Sequence, residues 1–193
     1  HIFEERYKLM TRQCLSENRT FGVTLIKSGN EVGNTAVPFS VGTLAYIEDA
    51  EPLPSGRMNL RTTGRERFRI HQIVQHSPYL KGIIDILPED AGGDPVHLSL
   101  VHTVRKLAKE YLKTLIAIRG EWLREIPIPQ EAHGLSYFVA GSLLVANTLR
   151  QKLLETILVQ ERLELELAIL RREYPRIKQI LLERHNQDSP RRN

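Results

Sequence analysis

The sequence predicts an α+β protein, a small barrel or curled antiparallel sheet followed by a helical bundle. Glycine and proline punctuate the first half densely, and apolar residues there come in short runs or alternate. Past Asp94 they recur at steps of three and four, the period of a helix. At 193 residues with 41% hydrophobic content, the chain has enough apolar material for a core. These features predict a β-rich part over residues 1–94, a helical part over 95–185 and a disordered tail over 186–193.

The β-rich part opens with a short helix over residues 1–16, with Ile2, Phe3, Leu9, Met10 and Leu15 as its apolar side. Strands follow over residues 21–26 and 41–47. Pro52, Pro54, Ser55 and Gly56 make a turn into a strand at 58–62, where proline presets φ and glycine supplies freedom. Between residues 65 and 74 the chain alternates, with Phe68 and Ile70 on one side and Arg65, Arg67 and Arg69 on the other. One more strand over 79–87 ends at Pro88.

In the helical part, Val101, Val104, Ala108, Tyr111 and Leu115 line one side of a helix that stops at Gly120. Ile126, Pro127, Ile128 and Pro129 enforce an extended connection. A second helix is predicted over 135–149, a short one over 151–154, and a last one through Leu163, Leu167 and Leu170 that Pro175 kinks or breaks. Four helices make a bundle.

Composition excludes several function classes. The lone Cys14 permits no intramolecular disulfide and suits a reducing compartment, so a cytoplasmic location is expected. No apolar run approaches the roughly 20 residues that cross a bilayer, and no membrane partner is expected. A net charge of +4, spread along the chain, does not demand a polyanionic partner. His71 with His76, and His97 with His102, are each five apart, which suits neither one helix face nor a zinc site. No glycine is followed by lysine, so a phosphate-binding GxxxxGK[ST] loop is absent and no cofactor is expected. Glu161, Glu164 and Glu166 with Arg162, Arg171 and Arg172 are expected to form the solvated side of a helix. The arginine stripe at 65, 67 and 69 lacks interleaved aromatics for base stacking, and nucleic acid is not an expected partner.

Five fragments carry a family resemblance: HIFEERY at 1–7, FGV at 21–23, VGTLAYI at 41–47, GRMNL at 56–60 and GRERFRI at 64–70. In this order and spacing they resemble the N-terminal, substrate-binding domain of Lon-type proteases, and LSYFVAGSLL at 135–144 extends the likeness into the helical half. The resemblance implies a PUA-like β pseudobarrel followed by a C-terminal helical bundle, a module that recognises unfolded or tagged polypeptide without chemistry of its own. It implies unfolded or damaged polypeptides as partners, with a protease or chaperone alongside. The apolar strand that precedes the HIFE-like segment in the family is not in the sequence, so one barrel edge is expected to lie open. With neither ATPase loop nor protease domain, the chain is expected to be a stand-alone substrate-binding-domain protein. Two other readings stay open, a PUA-like RNA-binding module and an N-terminal fragment of a full ATP-dependent protease.

A receptor for loosened polypeptide needs an apolar groove, adaptable side chains or an open strand edge. Phe39, Tyr46, Met58 and Tyr79 are the candidate groove residues, though residues of these types are more often found in a core. Glu5 and Arg6 are the candidates for a polar rim, or with Glu4 they form a local ion-pair cluster.

Overall fold

The computed structural model describes residues 1–30, 36–89, 95–121 and 125–188, the last four of these by backbone alone. The boundary residue Asp94 and the end of the tail, residues 189–193, lie outside them. The chain divides into two compact units, His1–Pro88 and Glu89–Asn193, and its class is α+β, an antiparallel sheet with C-terminal helices.

Among its described residues unit 1 holds one α-helix and six strands: α1 (Glu5–Ser16), β1 (Thr20–Val23), β2 (Ile26–Ser28), β3 (Val37–Pro38), β4 (Val41–Pro52), β5 (Met58–Gln75) and β6 (Lys81–Ile86). Four of them form an antiparallel sheet in the order β1-β4-β5-β6, and β2 pairs with β3. The core is small: Val41, Ala45, Ile47, Phe68, Tyr79 and Leu87. Phe68 sets its geometry, because its ring lies over Gly22 of β1 and Gly42 of β4, where any Cβ would fall within 3 Å of it.

Several expectations change here. The predicted strand over 21–26 is two strands, and the two predicted over 58–62 and 65–74 are one. The predicted arginine stripe is broken, since Arg67 is buried. Thr43 pairs with Arg67 but Ala45 pairs with Gly64, so Arg65 and Glu66 together oppose Leu44 in a bulge. That extra residue resets the alternation and takes Arg67 off the face of Arg65. Helix α1 starts at Glu5, while Ile2 forms a bridge with Met58. Its buried residues are Lys8 and Thr11, whereas Phe3 and Leu9 are exposed. The Lys8 ammonium is buried at low cost, donating to the Ser55 carbonyl at 2.9 Å and the Glu5 carboxylate at 2.7 Å.

Unit 2 holds α2 (Leu98–Ile118), α3 (Ala132–Ser142), α4 (Asn147–Glu155) and α5 (Val159–Asp188). Val101, Val104, Ala108 and Tyr111 of α2 are buried against Leu135, Val139, Leu153, Leu163 and Leu170, a core of the kind the periodicity predicts. The helix predicted over 135–149 breaks after Ser142. The Leu144 amide donates to the Tyr111 hydroxyl at 3.0 Å, and the Leu143 carbonyl accepts from Arg150, so side chains satisfy the backbone there. Helix α5 runs through Pro175 and on to Asp188, into the predicted tail. Proline leaves the Arg171 carbonyl without its helical donor, and both residues are exposed to water.

Candidate functional site

The sequence-predicted site residues lie in unit 1. Glu5 is exposed and pairs with Lys8, whose hydrogen bond and charge hold its carboxyl below the usual range. Arg6 is half-buried, pairs with Glu4 at 2.8 Å and lies over the Tyr7 ring. Met58, at the start of β5, is tied by the Ile2 bridge to the chain just before α1. One end of the unit therefore gathers Glu5, Arg6 and Met58. Tyr46 is partly exposed, with the Arg65 guanidinium 3.6 Å from its ring centroid. Phe39 is partly exposed just before β4, its amide bonded to Leu25. Tyr79 is buried and donates to Gln13 of α1 at 2.5 Å. Each of the six has local partners within the unit.

Sequence reasoning missed the surface of the β5–β6 hairpin. Strand β6 is the last in its sheet, paired only with β5 among the described residues. Four large apolar side chains stand in solvent there, Val74 at 56%, Leu80 at 42%, Ile83 at 52% and Ile86 at 48% exposure. Alternation in this segment was legible, but the sheet order that leaves β6 at the edge was not. An edge strand offers unpaired backbone donors and acceptors, so this surface joins apolar contact with hydrogen-bonding capacity.

Unit 2 corrects a second expectation. Arg162 and Glu166, expected on a solvated helix side, are both fully buried. Arg162 donates from Nε to Ser136 Oγ and from a terminal nitrogen to the Thr156 carbonyl, each at 2.8 Å, and its guanidinium lies 4.4 Å from the Tyr137 ring centroid. Both carboxyl oxygens of Glu166 lack a hydrogen-bond partner. Burial pushes this carboxyl up to about 9, against the pull of the Arg162 charge, so Glu166 is neutral at physiological pH. The sequence held a signal. Val159, Leu163, Glu166 and Leu170 fall at steps of four, three and four, which sets Glu166 within the buried stripe of α5.

Beside this centre, the Glu89 carboxylate accepts from the Tyr137 hydroxyl at 3.0 Å and pairs with His133 at 2.7 Å. Glu131 caps α3 by accepting from the His133 and Gly134 amides. The Arg162 contacts with Ser136 and Tyr137 build α3 onto α5. Cys14 is half-buried, and burial pushes its thiol above the ordinary range, away from the thiolate that is the nucleophile. Among the described residues no group of three or more histidine, cysteine or acidic side chains is placed to hold a metal ion. Among them, too, no helix is long and apolar enough to cross a membrane.

The chain is thus an α+β protein whose first unit carries an exposed apolar sheet edge. The family model of the ATP-dependent protease La (LON) substrate-binding domain matches residues 1–172, and the chain belongs to that family. Among its relatives, a Lon protease of Brevibacillus choshinensis is 24% identical over 170 residues, 88% of this chain and 22% of that one. Lon protease 1 of Thermus thermophilus is 30% identical over 141 residues, 72% of this chain and 18% of that one. The chain thus spans about a fifth of the length of the curated relatives it matches. The crystal structure of a Lon N-terminal domain protein from Xanthomonas campestris is similar with a TM-score of 0.64 and 26% identity, over 86% of this chain and 85% of that one. The N-terminal domain of a Mycobacterium avium complex Lon protease shares the fold, with a TM-score of 0.59 and 16% identity over 88% and 87% of the two chains.

Proposed function

We propose that the chain binds unfolded or damaged polypeptide without altering it, and that the edge of β6 receives an extended segment. The observation that carries this reading is the coincidence of a sheet edge with four exposed apolar side chains on one hairpin. An added strand gains main-chain hydrogen bonds that are indifferent to sequence, and Ile83 and Ile86 add apolar contact of about 0.8 kcal/mol per buried methylene. The family's description as a substrate-binding domain supports the same reading. Phe39, Tyr46 and Met58 extend the receiving surface, Glu5 and Arg6 supply its polar rim, and Tyr79 braces the hairpin through Gln13. The relatives are named proteases, so the released segment passes to a protease or chaperone, in the cytoplasm, where the unpaired Cys14 stays reduced.

The test is fluorescence anisotropy with a permanently unfolded, labelled polypeptide and its native counterpart. Binding of the unfolded form alone, weakened about tenfold by Ile83→Lys, is the expected result, since an edge lysine opposes strand addition. Equal binding of the native form, or indifference to Ile83→Lys, overturns the reading. RNA that displaces the polypeptide, with steep loss on added salt, shifts it to the nucleic-acid alternative. The burial of Arg67, which interrupts the basic stripe, weighs against that outcome.

A further inference from the structure

We propose that the helical unit holds a second polypeptide contact, a pocket for the last residue of a chain that ends in an apolar side chain and a free carboxylate. This rests on the reading of the protein as a polypeptide receptor and names one class of polypeptide it prefers.

The pocket lies between the end of α2 and the end of α3 and has a volume of about 250 Å³. Leu112, Leu115, Ile116 and Arg119 wall one side, at the three- and four-residue steps that align them on α2. Gly141, Ser142 and Leu144 wall the other. Gly141 makes the room, since a Cβ built there meets nothing within 4 Å. Leu144 is 54% exposed at the opening. Its backbone is held firmly, by the Tyr111 hydroxyl on its own amide and by Arg150 on the Leu143 carbonyl. The apolar wall is therefore preformed, and little ordering is needed when a side chain enters.

Arg119 supplies the charge. It is exposed, and its guanidinium makes no hydrogen bond or ion pair among the described residues. A helix C-terminus ordinarily repels anions through its unpaired carbonyls. Here the carbonyls of Leu115, Ile116 and Ala117 accept from the amides of Arg119, Gly120 and Glu121, and the Ile118 carbonyl accepts from Arg184. With those groups satisfied the rim is cationic, and of its two guanidinium groups Arg119 lines the pocket while Arg184 is engaged on the Ile118 carbonyl. An internal leucine of a polypeptide fills the pocket and offers Arg119 nothing. A terminal leucine or phenylalanine fills it and brings its α-carboxylate to the guanidinium, a charge-assisted pair.

The experiment titrates the full chain against short labelled Gly-Ser peptides ending in leucine as free acid, leucine as amide, or serine as free acid. The expected result is binding of the leucine acid about tenfold tighter than either other peptide. Arg119→Gln should erase the acid-over-amide preference and leave the preference for leucine. Gly141→Leu should fill the space and erase both, and as a better helix former it should keep the thermal melt intact. Both variants should still bind a long unfolded polypeptide ending in an amidated serine. Equal binding of acid and amide, unchanged binding in Gly141→Leu, or a response traced to self-association of the chain overturns the proposal. If the long polypeptide fails to bind the unmodified chain, the receptor reading itself falls; if it binds without any preference for chain ends, only this pocket falls.

Discussion

The ring of Phe68 occupies the space that a side chain on Gly42 would need, with the ring edge 2.7 Å from where its Cβ would lie. Three of the five family fragments meet at this point, since Gly22, Gly42 and Phe68 belong to FGV, VGTLAYI and GRERFRI.

Gly42→Ala should therefore destabilise unit 1 by about 1–3 kcal/mol, as overpacking of a close-packed core does. Denaturant unfolding measures it. Phe68→Leu in the same chain should recover only part of the loss, because the added methyl also meets the Val23 carbonyl at 2.5 Å. Full recovery would mean that the ring alone dictates the glycine.

Arg162 should prove the costliest polar residue of unit 2 to remove. It joins α5 to Ser136 of α3, both side chains being fully buried, and to the partly buried Thr156 carbonyl. Arg162→Ala leaves those groups short of a donor and should cost about 3 kcal/mol or more in thermal or denaturant unfolding. A loss no larger than that of an exposed arginine such as Arg172 would contradict this.

Glu166 makes stability depend on pH. Its proton leaves the unfolded chain near 4.5 and the folded one near 9, so the folded state binds the extra proton between those values. Stability from this group is full below 4.5, falls as pH rises through the interval, and is lost by about 9. Glu166→Met removes the proton and the unsatisfied oxygens together. Melting temperatures should show the variant more stable than the parent at pH 8, with the gap narrowing toward pH 5. A gap that widens toward acid would show the carboxylate ionised in the fold.

The cap on α3 gives a smaller, local effect. Glu131→Ala should cost about 1 kcal/mol, seen in the stability of unit 2, because two amides of the first turn lose their acceptor. Gly134→Ala tests the same contact from the other side, since its new methyl would displace the Glu131 carboxylate.

Much of this architecture could be read from residue spacing, and the failures share a cause. Val101, Val104, Ala108 and Tyr111 recur at helical steps and are all buried, because an apolar stripe has no other way to leave water. The same logic misplaced Arg162 and Glu166. A charged pair four residues apart is ordinarily solvated, and the contacts that make the burial of Arg162 tolerable include Ser136 and Tyr137 on another helix, which spacing along α5 does not reveal. Arg67 failed through a bulge, which depends on the pairing with β4 and leaves no mark in the composition of β5. Gly141 stands just before the break after Ser142, but a single glycine is tolerated inside a helix, and it is the hydroxyl of Tyr111 that sustains the break. The six candidate contact residues were chosen by type. The hairpin edge depends on strand order, a property of the whole sheet, and so only Tyr79 and its neighbours pointed near it.

Pro175 divides α5 in a way its continuous outline conceals. Before it, Val159, Leu163, Ile169 and Leu170 are buried; among the side chains described after it only Ile177 is, and Ile180 and Leu182 face solvent. With one rung of the ladder missing at the division, the distal turns should open and close without disturbing the proximal ones. Hydrogen–deuterium exchange should then resolve this one helix into a slow half and a fast half, parting at the proline.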